Sequence, residues 1–243
     1  MKIFFLPLLL LGIISCNSSK NMLPTDSDSS MSNNPTDNSE QLTYLALGDS
    51  YTIGEGVNDA GRYPSQLVAK LNSETDRSWS SPKVIARTGW TVDELEQGII
   101  REEITGKTFD LVTLLIGVNN QYRGRSVKDF EKEFEAMLSR AISFAGENRN
   151  HVVVISIPDW GITPFAQAKD LDQAKVAREI NAYNLVCKTI SEKYEVAYVD
   201  ITKEYREGGD QLEMLVADGL HPSARMYEVW TKKLYEQVKK FNF

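Results

Sequence analysis

The chain has 243 residues, of which 42% are hydrophobic and 25% charged, enough to bury one proper core. Its net charge of -7 and its pI near 5.0 argue against a nucleic-acid partner. Phosphate recognition needs a basic face, and no lysine or arginine cluster supplies one.

The chain begins "MKIFFLPLLLLGIISC", with a basic Lys2, an apolar run from Ile3 to Ile14, then Ser15 and Cys16. That run is shorter than the roughly 20 apolar residues of a membrane span and suits the core of a signal peptide. Ile13-Ile14-Ser15-Cys16 resembles the lipobox of bacterial lipoproteins. The resemblance implies removal of residues 1–15 as a signal peptide and lipid attachment to the Cys16 sulfur. The plainer alternative is an ordinary secretory signal in which Cys16 is incidental. The expectation is a protein exported and lipid-anchored to a bacterial membrane, facing the periplasm or the cell surface. Lipidation of Cys16 would leave Cys187 with no partner for a disulfide.

Residues 16–41 are rich in serine, asparagine and aspartate and poor in apolar side chains, the composition of a flexible tether. From residue 42 to 243, apolar runs alternate with helical patterns. The runs Thr43–Gly48, Lys83–Arg87, Phe109–Gly117, His151–Ile157 and Glu195–Asp200 read as strands. Several are nearly continuous rather than alternating, which suits strands buried on both faces. In "SVKDFEKEFEAMLSRAISFA", Val127, Phe130, Phe134, Met137, Leu138, Ala141 and Ile142 share one helical face. Leu171, Ala174, Ala177, Ile180, Cys187 and Ile190 repeat the pattern, with Cys187 acting as a small buried hydrophobe. A last helix follows Pro222, which suits a first helical turn, and carries Tyr227, Trp230, Leu234, Val238 and Phe241 at helical spacing. The alternation predicts an α/β domain with a parallel sheet between two helical layers.

Ligands of such sheets bind beyond the carboxyl ends of the strands. The residues there are Gly48-Asp49-Ser50, Thr88-Gly89-Trp90, Gly117 to Asn120, Pro158-Asp159-Trp160 and, before the final helix, "ADGLHPSA" with Asp218 and His221. A serine hydroxyl needs a neighbouring base to act as a nucleophile. The chain has two histidines, and His151 begins a predicted strand, at the amino edge and away from such a site. His221 is therefore the candidate base, with Asp218 as its orienter and Ser50 as nucleophile. The amides of Ser50 and Gly89 and the Asn119 side chain are candidate donors to an oxyanion. Taken singly, each feature is weak: "GDS" is more often a turn than a catalytic site, Gly89 alone reads as a turn glycine, and Asn119 and "DGLHPS" read as caps. Their joint arrival at one sheet edge carries the argument.

The stretch from residue 42 to 243 resembles the SGNH hydrolases, the GDSL-type esterase and lipase family. The resemblance lies in "LGDSYTIGEG", "ARTGWT", "IGVNNQY" and "DGLHPS", which occur in family order. It implies a three-layer flavodoxin-like fold around a mostly five-stranded parallel sheet. It also implies Ser50 as nucleophile, His221 as base, Asp218 as orienter, and an oxyanion hole of Ser50, Gly89 and Asn119. In the family the serine lies on a short turn straight after the first strand, and Gly48, Gly54 and Gly56 would give that loop its freedom. No metal or other cofactor is expected, and the protein is expected to act as a monomer on a small-molecule or lipid ester. A short-chain esterase or lysophospholipase-like activity is favoured, with carbohydrate O-deacetylation as a rival. A non-catalytic surface lipoprotein that binds a ligand in the same cleft is the contrasting class. Trp90 and Trp160 either line the pocket or pack beside it.

Overall fold

The computed structural model describes residues 41–243. The leader, the Cys16 lipidation site and the tether up to residue 40 lie outside the described residues. Five strands, β1 (Tyr44–Gly48), β2 (Lys83–Ala86), β3 (Leu111–Leu115), β4 (Val152–Ile155) and β5 (Ala197–Val199), pair in parallel in the order β2-β1-β3-β4-β5. Every residue of β1, β3 and β4 is buried, while the edge strands β2 and β5 are only partly so. This explains why the three central strands are near-continuous apolar runs. Each strand is shorter than its apolar run. The Phe109 amide donates to the Phe144 carbonyl at 2.7 Å, and the Ile157 amide to Asn184 Oδ1 at 2.8 Å, so both have left the ladder.

The longer helices are α2 (Tyr63–Glu74), α3 (Val92–Arg101), α5 (Val127–Phe144), α7 (Gln173–Lys193) and α9 (Ala224–Val238). Shorter ones are α1 (Ser50–Ile53), α4 (Val118–Tyr122), α6 (Pro164–Ala168) and α8 (Thr202–Gly208). α2 packs with α9 in one layer, and α3, α5 and α7 pack side by side in the other. Their starts are fixed by local chemistry. Ser126 accepts the Asp129 amide at 3.1 Å and Asp172 accepts the Lys175 amide at 2.9 Å, each satisfying an amide that has no partner within the helix.

Some expected positions differ. α9 starts at Ala224 with Ser223 as its cap, so Pro222 precedes the helix and forms an isolated antiparallel bridge with Leu215. The bridge holds the preceding loop, which a helical Pro222 would not. Val127 and Leu171 are each 37% exposed because they lie at helix starts, beyond the reach of the core. Phe241 falls after the end of α9 but packs edge-on to Phe243. Cys187 is buried in α7 as expected, and burial pushes its thiol pKa up. His151 closes a single 3-10 turn before β4 and lies tilted against Phe243, with ring centroids 4.7 Å apart.

Candidate active site

The strand order decides where a site can form. After β1 the chain moves to β2 on one side, then crosses to β3 on the other, so the loops leaving β1 and β3 diverge and open a crevice. Ser50, the first residue of α1, sits at that point. The chain turns into α1 directly because Asp49 caps it, accepting the Tyr51 amide on Oδ1 at 3.0 Å. Gly54 ends the helix in the left-handed region, at φ 79°. Gly48 is required for space rather than for conformational freedom: a Cβ there would stand 2.2 Å from Thr52 Oγ1 and 2.4 Å from the Leu115 carbonyl. Gly48-Asp49-Ser50 is therefore both a tight turn and a presentation of Ser50.

The crevice is a cavity of about 180 Å³ lined by Ser50, Gly89, Asn119 and His221 together with Tyr122, Trp160 and Phe165 among others. Four separate motifs of the sequence thus meet in one cleft, contributed by the loops after β1, β2 and β3 and by the loop before α9. His151 is not part of it. No hydrogen bond joins Ser50 to His221 among the described residues, and such bonds are commonly long in ligand-free sites.

Asp218 and His221 are paired closely. Asp218 Oδ2 lies 2.6 Å from His221 Nδ1, and Oδ1 accepts the backbone amides of Leu220 and His221 at 2.8 and 2.9 Å. With the proton on Nδ1, Nε2 is left as an acceptor. Burial alone would raise the Asp218 pKa, but the hydrogen bonds from His221 and from both amides outweigh it and hold the carboxyl below its ordinary value. The loop is pinned from three sides. The Val216 amide donates to the His221 carbonyl at 2.9 Å, the Phe165 amide donates to the Gly219 carbonyl at 3.0 Å, and the Tyr205 hydroxyl donates to the Leu220 carbonyl. The imidazole lies against the Tyr51 ring, with centroids 5.4 Å apart.

The expected oxyanion donors face the same space. The Ser50 and Gly89 amides meet no hydrogen-bond acceptor among the described residues, so both remain available. Gly89 is the third residue of a turn closed by the Trp90 amide on the Arg87 carbonyl at 3.2 Å, and its φ of 86° is one that side-chain-bearing residues rarely adopt. Asn119 spends one amide hydrogen on the Trp90 carbonyl at 3.0 Å, which leaves the other.

The two tryptophans divide the roles between them. Trp160 lines the cleft, 4% exposed, and donates from Nε1 to Gln121 Oε1 at 2.8 Å. Trp90 packs over Gly98, where a Cβ would stand 2.1 Å from the indole ring, and lies outside the cleft wall. Asp159, the strand-end acid beside Trp160, is buried and paired with Arg206 Nε at 2.8 Å, so it caps and braces rather than facing the cleft. Thr88, one of the strand-end residues, lines the wall; Tyr51, Tyr122, Phe165 and Leu220 were not singled out from the sequence, although each stands within a few positions of a recognised motif or strand end.

A sequence model of the GDSL-like lipase/acylhydrolase family matches residues 46–229. The chain belongs to this family. It is accordingly a carboxylic ester hydrolase with the SGNH-type flavodoxin-like fold. It is 24% identical over 216 residues to the spore germination lipase LipC of Bacillus licheniformis, covering 79% of this chain and 94% of LipC. Among solved structures, it is similar to a lipase/acylhydrolase from Enterococcus faecalis at 19% identity and a TM-score of 0.64, covering 82% of this chain and 96% of that one. It is also similar to a variant of the Geobacillus acetyl-xylooligosaccharide esterase Axe2, at 19% identity and a TM-score of 0.62, covering 83% and 95% of the two chains.

Proposed function

We propose that this GDSL hydrolase cleaves small carboxylic esters through an acyl-enzyme at Ser50. The observation that carries the reading is the Asp218–His221 contact at 2.6 Å in the cleft that also presents Ser50 and two unspent amides. His221 Nε2 takes the Ser50 proton as Oγ attacks the ester carbonyl, and Asp218 steadies the imidazolium that forms. The Ser50 and Gly89 amides and the Asn119 side-chain amide receive the developing oxyanion. His221 returns the proton to the departing alcohol. It then activates a water that frees the acyl group and regenerates Ser50.

A short acyl group is favoured. The cavity is small, about 180 Å³, and Val118, Tyr122, Trp160, Phe165 and Leu220 give it an apolar wall. A second reading, an O-deacetylase of carbohydrates, draws support from the exposed lining residue Thr88, which donates its hydroxyl to Glu55 and gives the cleft a polar element suited to a hydroxyl-rich alcohol. The leader and Cys16 support export and attachment to a bacterial membrane by lipid, in keeping with their resemblance to a lipobox.

The test is turnover of p-nitrophenyl esters from acetate to long acyl chains by wild type, Ser50→Ala and His221→Ala. Activity should be highest on short chains and vanish in both variants. Equal rates in all three proteins, each shown to be folded, would remove this site from the reaction.

A further inference from the structure

Gly89 differs from the other proposed oxyanion donors in being held by little of the core. Arg87 and Thr88 are exposed and Gly89 and Trp90 only half-buried, so packing against Gly98 anchors the Trp90 end of the turn but does not fix Gly89. Space does not fix it either, since the nearest atom to a Cβ built at Gly89 is Arg123 Nη2, at 3.9 Å. Besides the hydrogen bond from Thr88 to Glu55, what holds the turn is a set of hydrogen bonds with α4 and the residue that ends it. Arg123 Nη2 donates to the Gly89 carbonyl at 2.6 Å, Asn119 Nδ2 to the Trp90 carbonyl at 3.0 Å, and the Val92 amide donates to Asn120 Oδ1 at 3.1 Å.

The guanidinium is itself aimed. Glu94 takes Nη1 on Oε1 at 3.0 Å and Nη2 on Oε2 at 3.1 Å, a two-point grip that fixes the plane of the group. Oε2 also accepts the Thr91 amide at 2.9 Å, so the carboxylate is anchored to the start of α3. Residues 89, 91, 94 and 123 therefore form a closed ring of contacts around the turn.

We infer that Arg123, oriented by Glu94, is a positioning residue that sets the Gly89 amide in the oxyanion hole. The same short helix supplies one donor directly, through Asn119, and aims a second through Arg123. An oxyanion donor contributes through its placement before the reaction begins, and a misplacement near 1 Å can cost about a hundredfold in rate. Arg123 touches no reacting atom in this scheme, so its loss should slow the chemical step and leave substrate binding alone. The inference rests on the oxyanion hole assigned under the proposed function.

The experiment compares Arg123→Ala, Arg123→Lys, Glu94→Gln and Ser50→Ala with wild type on p-nitrophenyl acetate, with melting temperatures recorded. Inhibition by a boronic acid, which binds Ser50 as a tetrahedral adduct, is measured beside inhibition by acetate. Arg123→Ala is expected to lower kcat by about 10-fold to 100-fold with KM within about twofold. Boronate affinity should fall in step with kcat, and acetate affinity should not change. Arg123→Lys, which reaches the carbonyl without the two-point grip, should recover part of the loss. A wild-type kcat in folded Arg123→Ala, or a loss confined to KM, would overturn the inference while leaving the hydrolytic reading intact. If Arg123→Ala fails to fold, Glu94→Gln carries the same test: it should lower kcat several-fold at constant KM, and an unchanged kcat would overturn the inference. Turnover surviving in Ser50→Ala would overturn the hydrolytic reading itself, and the inference with it.

Discussion

Asp218 holds His221 at two points: one carboxylate oxygen meets the imidazole at 2.6 Å, and the other takes the backbone amide of the same residue at 2.9 Å. The first contact sets the tautomer and the second sets the loop, so a substitution can separate them. Asp218→Asn retains an oxygen for the amides but presents an NH₂ group to Nδ1, favouring the tautomer that cannot accept the serine proton. Turnover should fall by about three to four orders of magnitude with little change in melting temperature. Steady-state kinetics beside a thermal melt checks this, and a variant within tenfold of wild type would show that the pair does not act as an orienter and a base.

Asn119 has one amide hydrogen engaged by the Trp90 carbonyl and one left for the oxyanion. Asn119→Ala should lower kcat by about 10²–10³-fold while KM changes little. A change confined to KM would place Asn119 in substrate binding instead.

The proposed acyl side of the cleft is its aromatic wall, where Tyr122 packs edge-on to Trp160 at 5.3 Å and Trp160 in turn meets Phe165 edge-on at 6.4 Å. Phe165→Ala removes a half-buried member of this wall and lengthens the space. The preferred p-nitrophenyl ester should shift to a longer chain, read as kcat/KM from acetate to octanoate. An unchanged ranking of chain lengths would put the acyl group elsewhere.

Asp49 adjoins the proposed nucleophile, fully buried, with Oδ2 lacking a hydrogen-bond partner among the described residues. Burial raises its carboxyl pKa from 3.8 to about 7. The phenols around it keep their protons in this range, since burial pushes Tyr63 up to about 12 and Tyr51 and Tyr227 well above 10. Between about pH 4 and 7 the folded protein keeps a proton that the unfolded chain has released. This group's contribution is therefore largest at low pH and is lost as pH rises through 7. Asp49→Asn, which keeps the capping oxygen, should flatten that decline. Urea midpoints of both proteins from pH 4.5 to 8 give the comparison, and parallel slopes would assign the decline to other groups.

How much of this was legible in the sequence follows from the kind of interaction involved. β1, β3 and β4 were readable because burial on both faces leaves an unbroken apolar run. Their ends were not, because the Phe109 and Ile157 amides turn to partners outside the sheet that no local pattern announces. Ser50, Gly89, Asn119, Asp218 and His221 were singled out from their place after strands and in motifs, and the structure brings four of them to one cleft, with Asp218 behind His221. Arg123 and Glu94 escaped notice for a physical reason. Each is a partly exposed charge in an otherwise ordinary helical stretch, and their meaning appears only when the fold brings α3 and the end of α4 together.

The Tyr227 hydroxyl in α9 donates at 3.0 Å to the carbonyl of Tyr51, the neighbour of the proposed nucleophile, across 176 residues of sequence. The two ends of the folded segment therefore close on each other at the very place where chemistry is proposed to occur. A chain refolding from denaturant can form its helices and the β1–β2–β3 pairing while nucleophile and base remain apart. Catalysis should return as the last event, trailing the recovery of secondary structure, because contacts so distant in sequence carry the greatest loop-closure cost. The hydrolytic signal would then act as a clock for the completion of the tertiary structure, and an unfinished chain would be chemically silent by construction.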